Sequence, residues 1–430
     1  MQGREPGKKP GSRLIAGLSF VHSIRNQDPY FQEDRLMPTS DKIAEFIKRA
    51  SWIRKMFEEG ARLKKEHGAE NVFDFSLGNP NVEPAEDLKQ ALVKAASDRS
   101  PGVHAYMANA GYADVRAAVA AKIKEDEGIA LDERMVIMTC GAGGALNVVL
   151  KTVMNTDDEV IVPKPYFVEY SFYIDNHGGK TVIVPSKADF SLDLAAIESA
   201  ITAKTSAVLI NSPNNPTGKV YPLSQIVELA QLLERKSVQY GRPIVLISDE
   251  PYRAITYDGA IVPSVLKAYR NSVTVTSFSK DLSIPGERLG YIAVSPEMDN
   301  LDSTLDGLVL CNRILGFVNA PALMQRAVKG CLRSIVDVSI YKRRRDRLYN
   351  ALSEFGYECE KPEGAFYLFP KSPIPNDVDF AAVLQKKLIL TVPGTGFGGP
   401  GYFRIAYCVS DHTIEGSLKG FKEAIDEVKA

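Results

Sequence analysis

Seven short apolar runs punctuate the middle of the chain, at 135–139 (MVIMT), 159–163 (EVIVP), 181–185 (TVIVP), 206–210 (SAVLI), 243–248 (PIVLIS), 273–277 (VTVTS) and 290–294 (GYIAV). They do not alternate apolar with polar residues, which is the pattern of strands covered on both faces. Most are separated by stretches with helical spacing. The pattern therefore predicts an α/β protein with one large, seven-stranded, mainly parallel sheet sandwiched by helices. In such sheets ligands bind beyond the carboxyl ends of the strands. Ahead of this region a helix is predicted from the N-cap Ser40-Asp41 through Ile43, Phe46, Ile47, Trp52, Ile53, Phe57 and Leu63, followed by Val72–Leu77 and a turn at Gly78-Asn79-Pro80. After residue 319 the spacing changes to two helices (about 320–333 and 338–356), short strands near 365–369, 389–392 and 402–407, and a last helix from about 411. This predicts a smaller α+β C-terminal domain. The expected division is an N-terminal extension, weakly ordered, over 1–36; a segment over 37–85 packing with the small domain; a large domain over 86–318; and the small domain over 319–430. Met37 is a candidate alternative start.

A length of 430 residues with 45% hydrophobic and 24% charged residues suits a two-domain globular chain with a large core. Lys plus Arg (52) balances Asp plus Glu (53), giving no electrostatic reason to expect nucleic acid or a membrane as partner. The run Lys342-Arg343-Arg344-Arg345 is the exception and reads as a solvated helix face, with acids close by. Five scattered cysteines without a CxxC pair point to a reducing, cytoplasmic setting and no structural zinc. Five equally scattered histidines give no reason to expect a metal centre. No apolar run reaches the roughly 18–20 residues of a membrane span, and the polar, basic first twelve residues do not form a secretory signal.

The chemistry concentrates at strand ends. Ser277-Phe278-Ser279-Lys280 closes a predicted strand, so Lys280 projects into the cleft. A buried lysine is costly unless it reacts or pairs, and desolvation makes its free amine available. Eight residues on, Arg288 offers a fork suited to a phosphate, and Ser277 and Ser279 offer hydroxyls. Taken alone, Ser-x-Ser-Lys describes a surface lysine better than a reactive one. The whole string Ser-Phe-Ser-Lys-Asp-Leu-Ser-Ile-Pro-Gly-Glu-Arg-Leu-Gly over 277–290, however, resembles the Schiff-base signature of class I aminotransferases, the aspartate-aminotransferase family with the type I pyridoxal-phosphate (PLP) transferase fold.

The resemblance extends over roughly residues 40–428 and implies roles for further positions. It makes Lys280 the residue that carries pyridoxal 5′-phosphate. In Asn214-Asn215-Pro216-Thr217-Gly218, otherwise a plain Pro/Gly turn, it makes Asn215 a partner of the cofactor's phenolic oxygen and a neighbour of the substrate. In Asp249-Glu250-Pro251-Tyr252 it makes Asp249 the partner of the ring nitrogen and Tyr252 a second donor to the phenolic oxygen. Ala142 and Gly143, in a Gly-rich turn opening a helix, would give backbone N–H groups to the phosphate. Phe167 would stack on the ring, and Tyr106 would reach the phosphate of a neighbouring subunit, so that a homodimer shares its active sites. Gly78 would lie beside the substrate carboxylate, Arg404 would grip it, and Phe366 would line the mouth.

The implied activity is amino transfer between an α-amino acid and a 2-oxo acid by a ping-pong mechanism, with aspartate as the family default. The distal-carboxylate cations of the aspartate-specific branches are absent, however. Gly143 stands where one branch has lysine, and Leu315, not Arg313, stands where another has arginine. Alanine, methionine or an aromatic donor with 2-oxoglutarate stays open. So do two other readings: a PLP-dependent C–S lyase or aminocyclopropane-carboxylate-synthase-like enzyme on the same fold, and a non-catalytic protein that senses PLP or an amino acid.

Overall fold

A computed structural model describes residues 39–49 and 51–429. The expected extension over 1–36 and the candidate start Met37 lie outside them. The chain forms two compact units, residues 1–54 and 55–430. In the first, the described part comprises helix Asp41–Arg49 and the start of helix Ser51–His67.

In the second unit the strands are β1 (Phe73–Asp74), β2 (Val136–Thr139), β3 (Glu159–Pro163), β4 (Lys180–Val184), β5 (Thr205–Asn211), β6 (Val245–Asp249), β7 (Ser272–Ser277), β8 (Gly290–Val294), β9 (Tyr367–Leu368), β10 (Ile389–Leu390), β11 (Val392–Pro393) and β12 (Phe403–Ala406). The seven apolar runs form one sheet in the order β2-β8-β7-β6-β5-β3-β4. Only β8 runs against the others, pairing antiparallel with both β2 and β7. The absence of polar alternation has a direct cause. Val136, Met138, Ile161, Val208 and Leu246 point into one core, while Ile137, Val160, Val162, Leu209 and Ile247 point into a second core on the opposite face. Except along the edge strand β4, neither face meets water, so apolar residues dominate both.

A third core gathers Phe75, Tyr252, Phe366, Tyr367, Phe380, Phe403 and Phe421. Around it lie the antiparallel sheet β11-β12-β9 and the parallel pair β1-β10, which joins Phe73 to Ile389. The strand expected over 365–369 is reduced to two residues, because Ala365 takes a left-handed φ of 58° that cannot continue a strand. Helices Leu301–Ile314 and Asp377–Lys386 were not singled out by the sequence pattern.

The basic run requires a correction. Lys342 is half-buried and Arg343 exposed, but Arg345 is only 1% accessible. Its guanidinium donates to Asp258 (2.6 Å), Asp346 (2.7 Å) and the Pro362 carbonyl (2.8 Å), and it stacks on the Tyr257 ring at 4.5 Å. Position within helix Val338–Phe355, not charge, decides its burial: it shares a face with Tyr341, Leu348 and Leu352. Arg345→Leu is expected to destabilise the fold by about 1–3 kcal/mol, since it removes the hydrogen bonds of a buried guanidinium while its partners Asp258 and Asp346 still reach water. Chemical denaturation checks this.

Candidate active site

The carboxyl ends of β2, β3, β5, β6 and β7 deliver the candidate residues to one edge of the sheet. Beyond β2, helix Gly141–Val153 begins with no side-chain cap, leaving its first N–H groups free to meet a ligand. Gly141 has φ +72°, and a Cβ there would lie 2.9 Å from Arg288 Nη2. The Arg288 guanidinium is therefore packed against the start of this helix. Arg288 itself sits at φ 53°, and its Nη1 donates to the Pro285 carbonyl at 2.9 Å. Such a conformation costs a non-glycine residue on the order of 1–3 kcal/mol and is retained where it aims a functional group. Ser277 and Ser279 are buried on the same strand end, and Ala142 and Gly143 occupy the helix's first turn. A guanidinium packed against an uncapped helix start is an arrangement that can hold an anion.

Asp249 ends β6 and is 4% accessible. Its Oδ2 accepts from the Tyr170 hydroxyl at 2.6 Å, while Oδ1 is buried without a partner. Burial pushes the carboxyl up to about 7, with the neighbouring Glu250 charge adding to the shift and the Tyr170 bond opposing it. A desolvated carboxylate with one oxygen unpaired is completed by a cationic N–H group, which a protonated pyridine ring supplies; the residues present fit pyridoxal phosphate.

Lys280 lies three residues past β7, donates to the Gly78 carbonyl at 2.7 Å and sits 5.5 Å from the Phe366 ring centre. Burial lowers its pKa to about 8; Arg404 and Arg288 reinforce the fall and Cys408 opposes it. Against an ordinary value of 10.5 this costs the charged form on the order of 3 kcal/mol. The unfolded chain holds this proton up to pH 10.5 and the folded one only to about 8, so folding carries the full cost below pH 8 and sheds it between pH 8 and 10.5. Lys280→Met in the cofactor-free protein is thus expected to raise stability at pH 7 by about 1–3 kcal/mol. The gain should vanish near pH 10.5, as thermal unfolding against pH will show.

Arg404 projects from β12 into this cluster and is 7% accessible. Nη1 donates to Asn215 Oδ1 at 3.1 Å and Nη2 to the Ser76 carbonyl at 2.7 Å, while Nε is buried without a partner. The guanidinium packs on the rings of Tyr367 (4.7 Å) and Phe397 (4.6 Å). The Tyr252 and Tyr367 hydroxyls bond at 2.7 Å. Gly78 leaves room for Tyr367, because a Cβ at 78 would fall onto its hydroxyl. Phe167 is half-buried and meets Tyr170 edge-on at 5.6 Å.

The structure thus assembles Gly78, Asn215, Asp249, Tyr252, Lys280, Phe366 and Arg404 around one buried cluster; Ala142 and Gly143 lie in the helix's first turn beside Arg288, Ser277 and Ser279 are buried at and just past the end of β7, and Phe167 is attached through Tyr170. Tyr106 stands apart from it, 88% exposed. Sequence reasoning missed Tyr170, Tyr367 and Phe397. The available signal was slight: Tyr170 closes the string Pro165–Tyr170, and Tyr367 follows Phe366 directly.

Residues 70–420 match the family of class I and II aminotransferases, and the chain belongs to that family, whose members depend on pyridoxal phosphate. It is a transaminase. Among relatives, a probable aspartate aminotransferase of Methanocaldococcus jannaschii is 31% identical over 364 residues, spanning 83% of this chain and 94% of its own length. The aromatic-amino-acid aminotransferase 2 of Thermococcus litoralis is 30% identical, spanning 88% of this chain and 96% of its own. A crystal structure of an aminotransferase from Eubacterium rectale superposes with a TM-score of 0.89 at 36% identity, covering 92% of this chain and 100% of that one. Among the described residues no helix is long and apolar enough to cross a membrane.

Proposed function

We propose that the chain transfers the amino group of aspartate or a related α-amino acid to a 2-oxo acid such as 2-oxoglutarate, in the cytoplasm, as a homodimer to which each Tyr106 contributes across the interface. In this reading residues 86–318 form the cofactor-binding domain and 319–430 the small domain. The observation that carries the proposal is the convergence of an amine of lowered pKa, a carboxyl with an unpartnered oxygen and a buried, ring-packed guanidinium in one cluster.

When bound, pyridoxal phosphate supplies an electron sink for a negative charge developing at the substrate Cα. The chain's residues do the rest. Arg288, Ser277, Ser279 and the N–H groups of Ala142 and Gly143 would hold the phosphate. Phe167 would stack on the ring, and Asp249 would keep a proton on the ring nitrogen. Asn215 and Tyr252 would serve the phenolic oxygen. Arg404 binds the α-carboxylate beside Gly78 and so fixes which Cα bond is presented. The Lys280 amine, with its pKa near 8, would take the proton from the substrate Cα and hold it as an ammonium until it is handed back.

A half-reaction panel tests this. Single α-amino acids, aspartate included, should bleach the yellow holoenzyme and release the matching 2-oxo acid, and 2-oxoglutarate should restore the colour. Steady release of pyruvate without an acceptor, or no bleaching by any donor, would overturn it.

A further inference from the structure

We infer that Tyr367 is a positioning residue that joins the substrate-carboxylate arginine to the donor at the cofactor's phenolic oxygen. The inference rests on the roles proposed above for Arg404 and Tyr252 and adds a residue to which those roles assign nothing.

The geometry begins with strand pairing. β9 lies antiparallel to β12, with Tyr367 opposite Ala406. Side chains two residues apart share a face, so Arg404 is the diagonal neighbour of Tyr367 on that face. The diagonal spacing suits a long cation over an aromatic ring, and the guanidinium carbon lies 4.7 Å from the ring centre. At its far end the same ring presents its hydroxyl to Tyr252 at 2.7 Å, with the two rings edge-on at 5.6 Å and 84°. Tyr367 is 2% accessible, and the Gly78 backbone closes the space beside its hydroxyl. It has nowhere else to turn.

Proton count then fixes direction. Each hydroxyl carries one hydrogen. If Tyr252 spends its own on the phenolic oxygen, the hydrogen between the two tyrosines must come from Tyr367. A hydroxyl that accepts one hydrogen bond donates a stronger one. Burial raises the Tyr367 pKa to about 12, so the donor hydrogen stays on at working pH, while the adjacent Arg404 charge opposes the rise and keeps the group a good donor. Arg404 thereby acts on Tyr252 through one side chain. Substrate carboxylate arriving at Arg404 offsets that charge and weakens the chain of donation.

The test uses holoenzyme variants Tyr367→Phe, Tyr367→Leu and Tyr252→Phe. It follows the pH midpoint of the bound cofactor's absorbance change, KM and kcat separately, and thermal melting. A donor to the phenolic oxygen favours the form from which the shared proton has left, so losing it moves the midpoint upward. Tyr367→Phe keeps the ring, and the expected result is a midpoint raised by about 0.5–1 pH unit with KM within about twofold. Tyr367→Leu removes the ring from Arg404 and is expected to raise KM about tenfold. In the Tyr252→Phe background, Tyr367→Phe should add no further midpoint shift. A midpoint that moves in Tyr252→Phe but not in Tyr367→Phe overturns the inference and leaves the role of Tyr252 standing. A midpoint unmoved in both overturns the two together. Lower melting alone, with midpoint and KM unchanged, reduces Tyr367 to core packing and overturns it as well.

Discussion

Replacing Lys280 with alanine is expected to lower turnover by about 10,000-fold, the upper end of what one positioned acid–base group contributes. The cofactor should nevertheless remain bound. In the proposed arrangement its phosphate would keep Arg288 and the first N–H groups of helix Gly141–Val153, and its ring nitrogen would keep Asp249. The fold should not suffer, because the variant removes a buried amine whose charged form burial penalises. Steady-state rates, together with cofactor absorbance after gel filtration, check both halves of the expectation. Turnover within tenfold of the parent would contradict the assignment of the proton-moving group.

The second large effect is expected from Asp249→Asn, which should lower kcat by about 100–1,000-fold, the scale of losing one preorganised electrostatic partner in a dry site. An amide keeps the shape and can still accept the Tyr170 hydrogen bond. It cannot carry a negative charge, so under the proposed role of Asp249 a bound ring nitrogen would be left without the partner that favours its protonated, electron-accepting form. Stability should move the other way. The carboxyl's folded pKa of about 7 lies above its ordinary 3.8, so ionisation opposes folding progressively from pH 3.8 to about 7 and fully above that. The cofactor-free Asn variant should therefore melt above the parent at pH 8 and level with it near pH 3.8. Together with the Lys280→Met gain in the cofactor-free protein, this would mark the site as a place where stability is given up for chemistry.

Much of this organisation was legible in the sequence, for identifiable reasons. A strand buried on both faces has to be apolar throughout, so the seven runs stood out, and their observed ends fall within about two residues of those expected. The strand-end strings around Lys280, Asp249 and Asn215 stood out through their resemblance to the family's motifs, which are contiguous in sequence. Contacts made across the fold were not. Tyr170 meets Asp249 from 79 positions away and Tyr367 meets Tyr252 from 115, and nothing local to a tyrosine specifies the partner of its hydroxyl. Arg345 misled for a related reason: four consecutive cations look solvated, yet the helix turns one of them inward, and Asp258 and Asp346 pair with it from the rim of the core. The short strand β9 was over-extended because no residue type announces a left-handed alanine at 365.

The central claim is that one amine carries the cofactor. Borohydride reduction of the holoenzyme, followed by proteolysis and mass mapping, tests it most directly. The account predicts a single phosphopyridoxyl label, on the peptide containing Lys280, and loss of the yellow colour on reduction. A label on any other lysine, or no label on a protein that retains stoichiometric cofactor, would contradict it.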